Sequence, residues 1–197
     1  MFDLIHSAEF VYLGSILTSS FWIVCILGVV LVIIYNGHVS RRNAVDYAFG
    51  SIDVQLKRRW DLVPQLVETV KGYAAHETEL FERVVEVRSM AKQREGTMGE
   101  RLLYEAELGR EIPAVFAVAE AYPELKASKH FMNLQRNLTE IESQVAASRR
   151  AYNAAVTEYN DGVEMFPMSV VAGIFGFKRR DWFDMDAKER ELRRVGL

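Results

Sequence analysis

Hydrophobic and polar positions divide this chain into an apolar run, a series of helix-like stripes and a mixed aromatic–basic end. From Phe10 to Gly37 no residue is charged, and the densest part reads FWIVCILGVVLVIIY over Phe21–Tyr35. About 20 apolar residues suffice for a helix to cross the hydrocarbon core. The run therefore predicts a single transmembrane helix within 10–37, centred on Ser15–Tyr35, with Tyr12, Trp22 and Tyr35 as interfacial aromatics. A cleaved signal peptide fits less well. The leading MFDLIHSAE holds Asp3 and Glu9 but no Lys or Arg, the run is too long, and no small-residue cleavage site follows. Arg41 and Arg42 stand just past the span, followed by Lys57, Arg58 and Arg59. Cations mark the cytoplasmic side, so residues 1–9 are expected outside and residues 38–167 in the cytoplasm.

The cytoplasmic part reads as helices. Val45, Phe49, Ile52, Leu56, Trp60, Val63, Val67, Val70 and Ala74 recur at steps of three and four, which is one face of a helix. Asp53, Lys57, Arg58, Asp61, Gln65, Glu68 and Lys71 occupy the other face. Pro64 removes a helical hydrogen bond and crowds the carbonyl of Trp60, predicting a kink or short break near Asp61–Pro64. After a turn at Gly72–His76, a second helix is expected over Glu77–Arg94, with Leu80, Phe81, Val84, Val87 and Ala91 inward. Glu95–Gly99 reads as a turn, and a third helix over Glu100–Ala121 offers Leu102, Ala106, Ile112, Phe116 and Ala119 for packing. Tyr122-Pro123 marks a corner, and Ser128 is placed to cap the last helix. That helix carries Phe131, Leu134, Leu138, Ile141, Val145, Ser148, Tyr152, Ala155, Tyr159, Val163 and Phe166 at heptad-like spacing, until Pro167 stops it. No sustained alternation signals a strand. The predicted fold is all-α: a transmembrane helix followed by an antiparallel long-helix bundle of the four-helix type.

If the last helix returns towards the membrane, residues 168–197 begin near the bilayer. They open with MSVVAGIFGFKRRDWF, in which Phe175, Phe177, Trp182 and Phe183 flank the cluster Lys178, Arg179 and Arg180. Aromatic residues beside cations suit the headgroup zone of an anionic leaflet. Packing of these side chains on the bundle and binding of a protein partner are the competing readings.

Composition adds mainly exclusions. A net charge of −3 gives no basic field for nucleic acid. The one cysteine, Cys25, lies in the apolar run and can form neither an intrachain disulfide nor a multi-cysteine metal site. His6, His38, His76 and His130 are scattered, without a His-x-x-x-His or Glu-x-x-His pair, and His76-Glu77 lacks the second histidine of a zincin motif. Glu77, Glu79, Glu82 and Glu86 read as a solvated helix face. No phosphate-cradling glycine loop, nucleophile elbow or cysteine–histidine arrangement occurs. Hence no catalytic, cofactor or metal residue is assigned, and no small-molecule substrate is implied. Lys57-Arg58-Arg59 and Arg149-Arg150 could hold phosphate-bearing partners, but on exposed helix faces they read as solubilising charge.

Several long words in order resemble the LemA family of bacterial membrane proteins. They are Tyr35-Asn36, Arg42-Asn43-Ala44-Val45-Asp46, the stretch Ser51–Ala74, and Tyr122-Pro123-Glu124-Leu125-Lys126-Ala127. Further words are Arg149-Arg150-Ala151-Tyr152-Asn153, Glu158-Tyr159-Asn160, Phe166-Pro167 and Phe175-Gly176-Phe177-Lys178. Glu95–Leu108 carries no such word. The resemblance implies one N-terminal span, a short outward N-terminus and a cytoplasmic bundle. It transfers no catalytic residue, and a related domain occurs in proteins linked to magnetosome membranes. The function expected is a non-enzymatic membrane-anchored scaffold at the bacterial inner membrane. It would contact the lipid bilayer and either a protein partner or a second copy of itself. A regulatory accessory subunit of a membrane complex is the alternative.

Overall fold

The computed structural model describes residues 2–92 and 98–183, with side chains from residue 20 in the first helix and from residue 104 in the third. All regular structure among them is helical: α1 (Phe2–Lys71), α2 (Thr78–Lys92), α3 (Met98–Glu120), the single turn α4 (Pro123–Lys126), α5 (Lys129–Glu164) and α6 (Met168–Phe175). The expected turn at Glu95–Gly99 falls largely outside the described residues, α3 having begun by Met98. So does the end of the tail, residues 184–197.

The chain forms two compact units. One contains Asp46–Ala154 with Trp182 and Phe183. Its core follows the predicted α1 stripe: Ile52, Leu56, Trp60, Val63, Val67, Val70 and Ala74 are all buried, and Leu66 joins them. Phe81, Val84 and Val87 of α2 close on that stripe, as do Leu108, Ile112, Val115 and Ala119 of α3. Leu125 of α4 and Phe131, Leu138, Ile141 and Val145 of α5 complete it. Ala106, expected to pack, is exposed. Ile112 and Ala119 are buried as expected and Phe116 packs partly buried against the core, while Glu105, Leu108 and Val115 complete the inward face of α3. Ser128 caps α5 as expected, its Oγ accepting from the Phe131 N–H at 3.5 Å.

Pro64 produces no break. The helix runs through it because the carbonyl it leaves without a donor, that of Trp60, accepts a 2.6 Å hydrogen bond from Arg88 Nε of α2. A side chain from the neighbouring helix thus replaces the bond the proline ring removes.

The other unit contains residues 2–45 and Ala155–Asp181. Its interior is small: Val45, Val156, Tyr159, Val171 and Ala172, with the polar His38 and Asn160. Phe21–Ile33 of α1 present exposed apolar side chains along the helix, which is long and apolar enough to cross a membrane. The heptad-like stripe of α5 ends short of its expectation, for Phe166 lies beyond the helix and is exposed.

Candidate functional site

The residues around Phe177 in the smaller unit form an aromatic and basic clasp. α5 ends at Glu164, the chain bends through Met165–Pro167 with a cis Phe166–Pro167 bond, and α6 begins at Met168. His38 Nε2 of α1 donates to the carbonyl of Met168 at 3.1 Å, and Arg41 Nη1 reaches the Met168 sulfur at 3.7 Å. Arg41 also pairs with Glu158 of α5 at 3.7 Å. At the far end of α6, Phe175 lies 4.8 Å from the Tyr35 ring. Gly176 then adopts φ 72°, a left-handed conformation that glycine takes without a Cβ clash. The Phe177 N–H bonds back to the Ala172 carbonyl at 2.9 Å. This reversal lays the Phe177 ring on His38 at 4.9 Å between centroids, with the Arg42 guanidinium 5.9 Å from the same ring.

Asparagines of α5 hold the residues that follow. Asn160, buried, accepts from the Arg180 N–H and donates to the Arg180 carbonyl, both at 2.9 Å. In the larger unit, Asn153 does the same for Phe183, at 2.8 and 3.2 Å. A side-chain amide offers a donor and an acceptor together, so each asparagine satisfies one residue of extended backbone completely.

The proposed contact residues therefore divide. Phe175, Lys178, Arg179, Arg180 and Trp182 are exposed, Phe177 is half-buried in the clasp, and Arg179 pairs with Glu164 at 2.7 Å. Phe183 is not available to a partner. It is buried in the core of the larger unit, against Tyr152 and under the Arg149 guanidinium, which lies 4.8 Å from its ring. Arg149 is accordingly not simply a solubilising charge.

Neither is Arg59. Its side chain, only 1% exposed, pairs with the buried Glu105 carboxylate and with Glu142 at 2.9 Å, and Nη2 also donates to the Glu105 carbonyl at 3.0 Å. The second carboxylate oxygen of Glu105 accepts from the Trp60 indole at 2.8 Å. With both oxygens of Glu105 engaged inside a packed core, the arrangement holds helices in register rather than offering an acid or base to a substrate. Among the described residues no group of His, Cys, Asp or Glu is placed to hold a metal. A groove of about 340 Å³ between α1 and α5 in the same unit is lined by Gln55, Arg58, Leu62, Asn137, Ile141 and Gln144 among others.

Sequence reasoning missed Glu105 and Asn160. Glu105 sits in the stretch without any family word, and its partner Arg59 is 46 positions away. The asparagines did leave a trace: Tyr152-Asn153 and Tyr159-Asn160 repeat the same pair seven residues apart.

The LemA family model matches residues 48–196. Magnetosome protein MamQ 2 of Paramagnetospirillum magneticum is 25% identical over 174 residues, covering 76% of this chain and 64% of that protein. MamQ of Magnetospirillum gryphiswaldense is 23% identical over the same shares of each chain. Protein LemA of Metamycoplasma hominis is 23% identical over 137 residues, or 70% of this chain and 63% of that protein. The chain thus spans just under two thirds of the length of these relatives.

Proposed function

The chain belongs to the LemA family, and we propose that it is a non-enzymatic helical scaffold anchored in the bacterial inner membrane. On this reading it organises the membrane, or a complex within it, through protein contacts on its packed helices and lipid contacts near its tail. The observation that carries the proposal is α1 itself. One uninterrupted helix has exposed apolar residues over Phe21–Ile33 and a buried packing stripe from Ile52 to Val70. Exposed apolar surface of that extent requires a non-aqueous neighbour, and a bilayer supplies it. The MamQ relatives bear the name of magnetosome proteins, and none of the matched names denotes a catalysed reaction. Arg41 and Arg42 after the span favour a cytoplasmic location for the packed helices, with residues 1–9 outside.

In-cell crosslinking in the native membrane, with adducts identified by mass spectrometry, tests this reading. A reproducible protein partner, or a defined self-adduct, is the expected outcome. A turnover lost on a single polar substitution would contradict it. A second reading is a regulatory accessory subunit, whose outer segment or span would sense a partner. Deleting residues 1–9 separates the two: loss of function with normal insertion supports regulation.

A further inference from the structure

α6 has an apolar face that its own unit leaves open. Val171 and Ala172 are buried, whereas Val170 and Ile174, one turn apart, are 52% and 67% exposed. Phe166 and Phe175 flank them at 82% and 48%, and no residue from Met168 to Phe175 is charged. Single apolar residues are common on protein surfaces, but four large ones within ten positions form a patch that calls for a partner.

Three features of this unit identify it. The first is position. Phe175 rests on Tyr35, the last aromatic of the uncharged run of α1, while His38, nearly one turn further on, holds the start of α6 at Met168. The uncovered face therefore belongs to a helix fixed beside the end of the apolar run. The second is the reversal at Gly176, which returns Phe177 to His38 and ties the turn to α1. The third is charge. Lys178, Arg179 and Arg180 follow the apolar face directly and are exposed, and Arg41 and Arg42 follow the span. Glu158 and Glu164 lie against Arg41 and Arg179, with Asp161 and Asp181 close in sequence, so the net field is modest and apolar contact dominates.

We propose that α6 is a second membrane contact, a foot whose Phe166, Val170, Ile174 and Phe175 enter the boundary between headgroups and acyl chains of the leaflet from which α1 emerges. Such helices lie about 5–10 Å into that boundary, and flanking cations reach the phosphates of anionic lipids. The foot rests on the reading of α1 as a membrane anchor. It adds the lipid surface as the partner of a particular face, and it removes Phe183 from the set of lipid contacts.

Spin labels on the full chain in lipid nanodiscs test it. In a Cys25→Ser background, single cysteines are introduced as Ile174→Cys, Val30→Cys within the apolar run, and Lys57→Cys on an exposed bundle face. Collision with oxygen is compared with collision with a water-soluble nickel complex, and circular dichroism confirms equal helicity. The expected result is that the 174 label favours oxygen over nickel, less strongly than the 30 label, whereas the exposed 57 label is open to nickel. Converting Lys178, Arg179 and Arg180 together to Gln should make the 174 label shallower in discs containing phosphatidylglycerol and leave it unchanged in phosphatidylcholine alone. A 174 label as open to nickel as the 57 label overturns the foot. So does one shielded from both reagents, which would mean that protein covers the face. If the 30 label is itself open to nickel, the anchor reading fails and the foot fails with it.

Discussion

Lys57-Arg58-Arg59 and Lys178-Arg179-Arg180 are the same three residues in order, and the structure treats them oppositely. The first tract lies on a helix, where successive side chains turn by about 100°, so its three residues point in three directions and the third lands on the packed face. Lys57 and Arg58 are exposed, while Arg59 turns inward between Leu56 and Val63 to meet Glu105 and Glu142. The second tract is not helical, and all three of its side chains are exposed. There the buried contact is made by backbone, through Asn160. A basic tripeptide therefore has no fixed meaning. The local periodicity and the partner on a distant element decide whether it supports packing or faces outward.

Substitutions can break this contrast, and the largest effect is expected inside the larger unit. Glu105→Ala would leave the Arg59 charge buried with only the half-exposed Glu142 beside it, at a cost of about 3–5 kcal/mol. The thermal transition of the purified protein in detergent should fall accordingly. The double change Arg59→Met with Glu105→Leu removes both charges and should recover most of that loss. Recovery would show that the buried pair adds little net stability over an apolar replacement. Next, Arg88→Ala removes the donor that Pro64 makes necessary and leaves the Trp60 carbonyl without it, at about 1–3 kcal/mol in the same melt. The tail should respond differently. Asn160→Ala deprives the Arg180 backbone of both its bonds, so trypsin should cut after Lys178–Arg180 faster than in the parent while the melt shifts by only about 1–2 kcal/mol. Smallest is Lys57→Ala, an exposed member of the first tract, expected within about 0.5 kcal/mol of the parent. A Lys57 effect equal to that of Glu105 would dissolve the distinction between the two tracts.

Most of the helical frame was legible because it depends on short-range pattern. The α1 stripe, the corner at Tyr122-Pro123 and the Ser128 cap each follow from spacing or from one residue's backbone preference. What was hidden depends on contacts distant in sequence. Nothing near Arg59 announces Glu105, and nothing near Pro64 announces that Arg88 would mend its helix. Ala106 is an apolar residue available for packing, yet the buried position is the neighbouring Glu105, held by the Arg59 and Trp60 contacts. The tail was legible in composition but not in allocation. Its aromatics read alike in sequence, and only the positions of Gly176, Asn160 and Asn153 determine which turn inward and which stay exposed.

The proposed anchored scaffold has a lipid-facing region and a separate protein-facing one. A photoreactive amino acid placed in turn at Ile174 and at Arg58, beside the α1–α5 groove, tests it most directly in the native membrane. The expected result is phospholipid adducts from position 174 and adducts to protein, whether a partner or a second copy, from position 58. Protein adducts at 174 with none at 58 would contradict it.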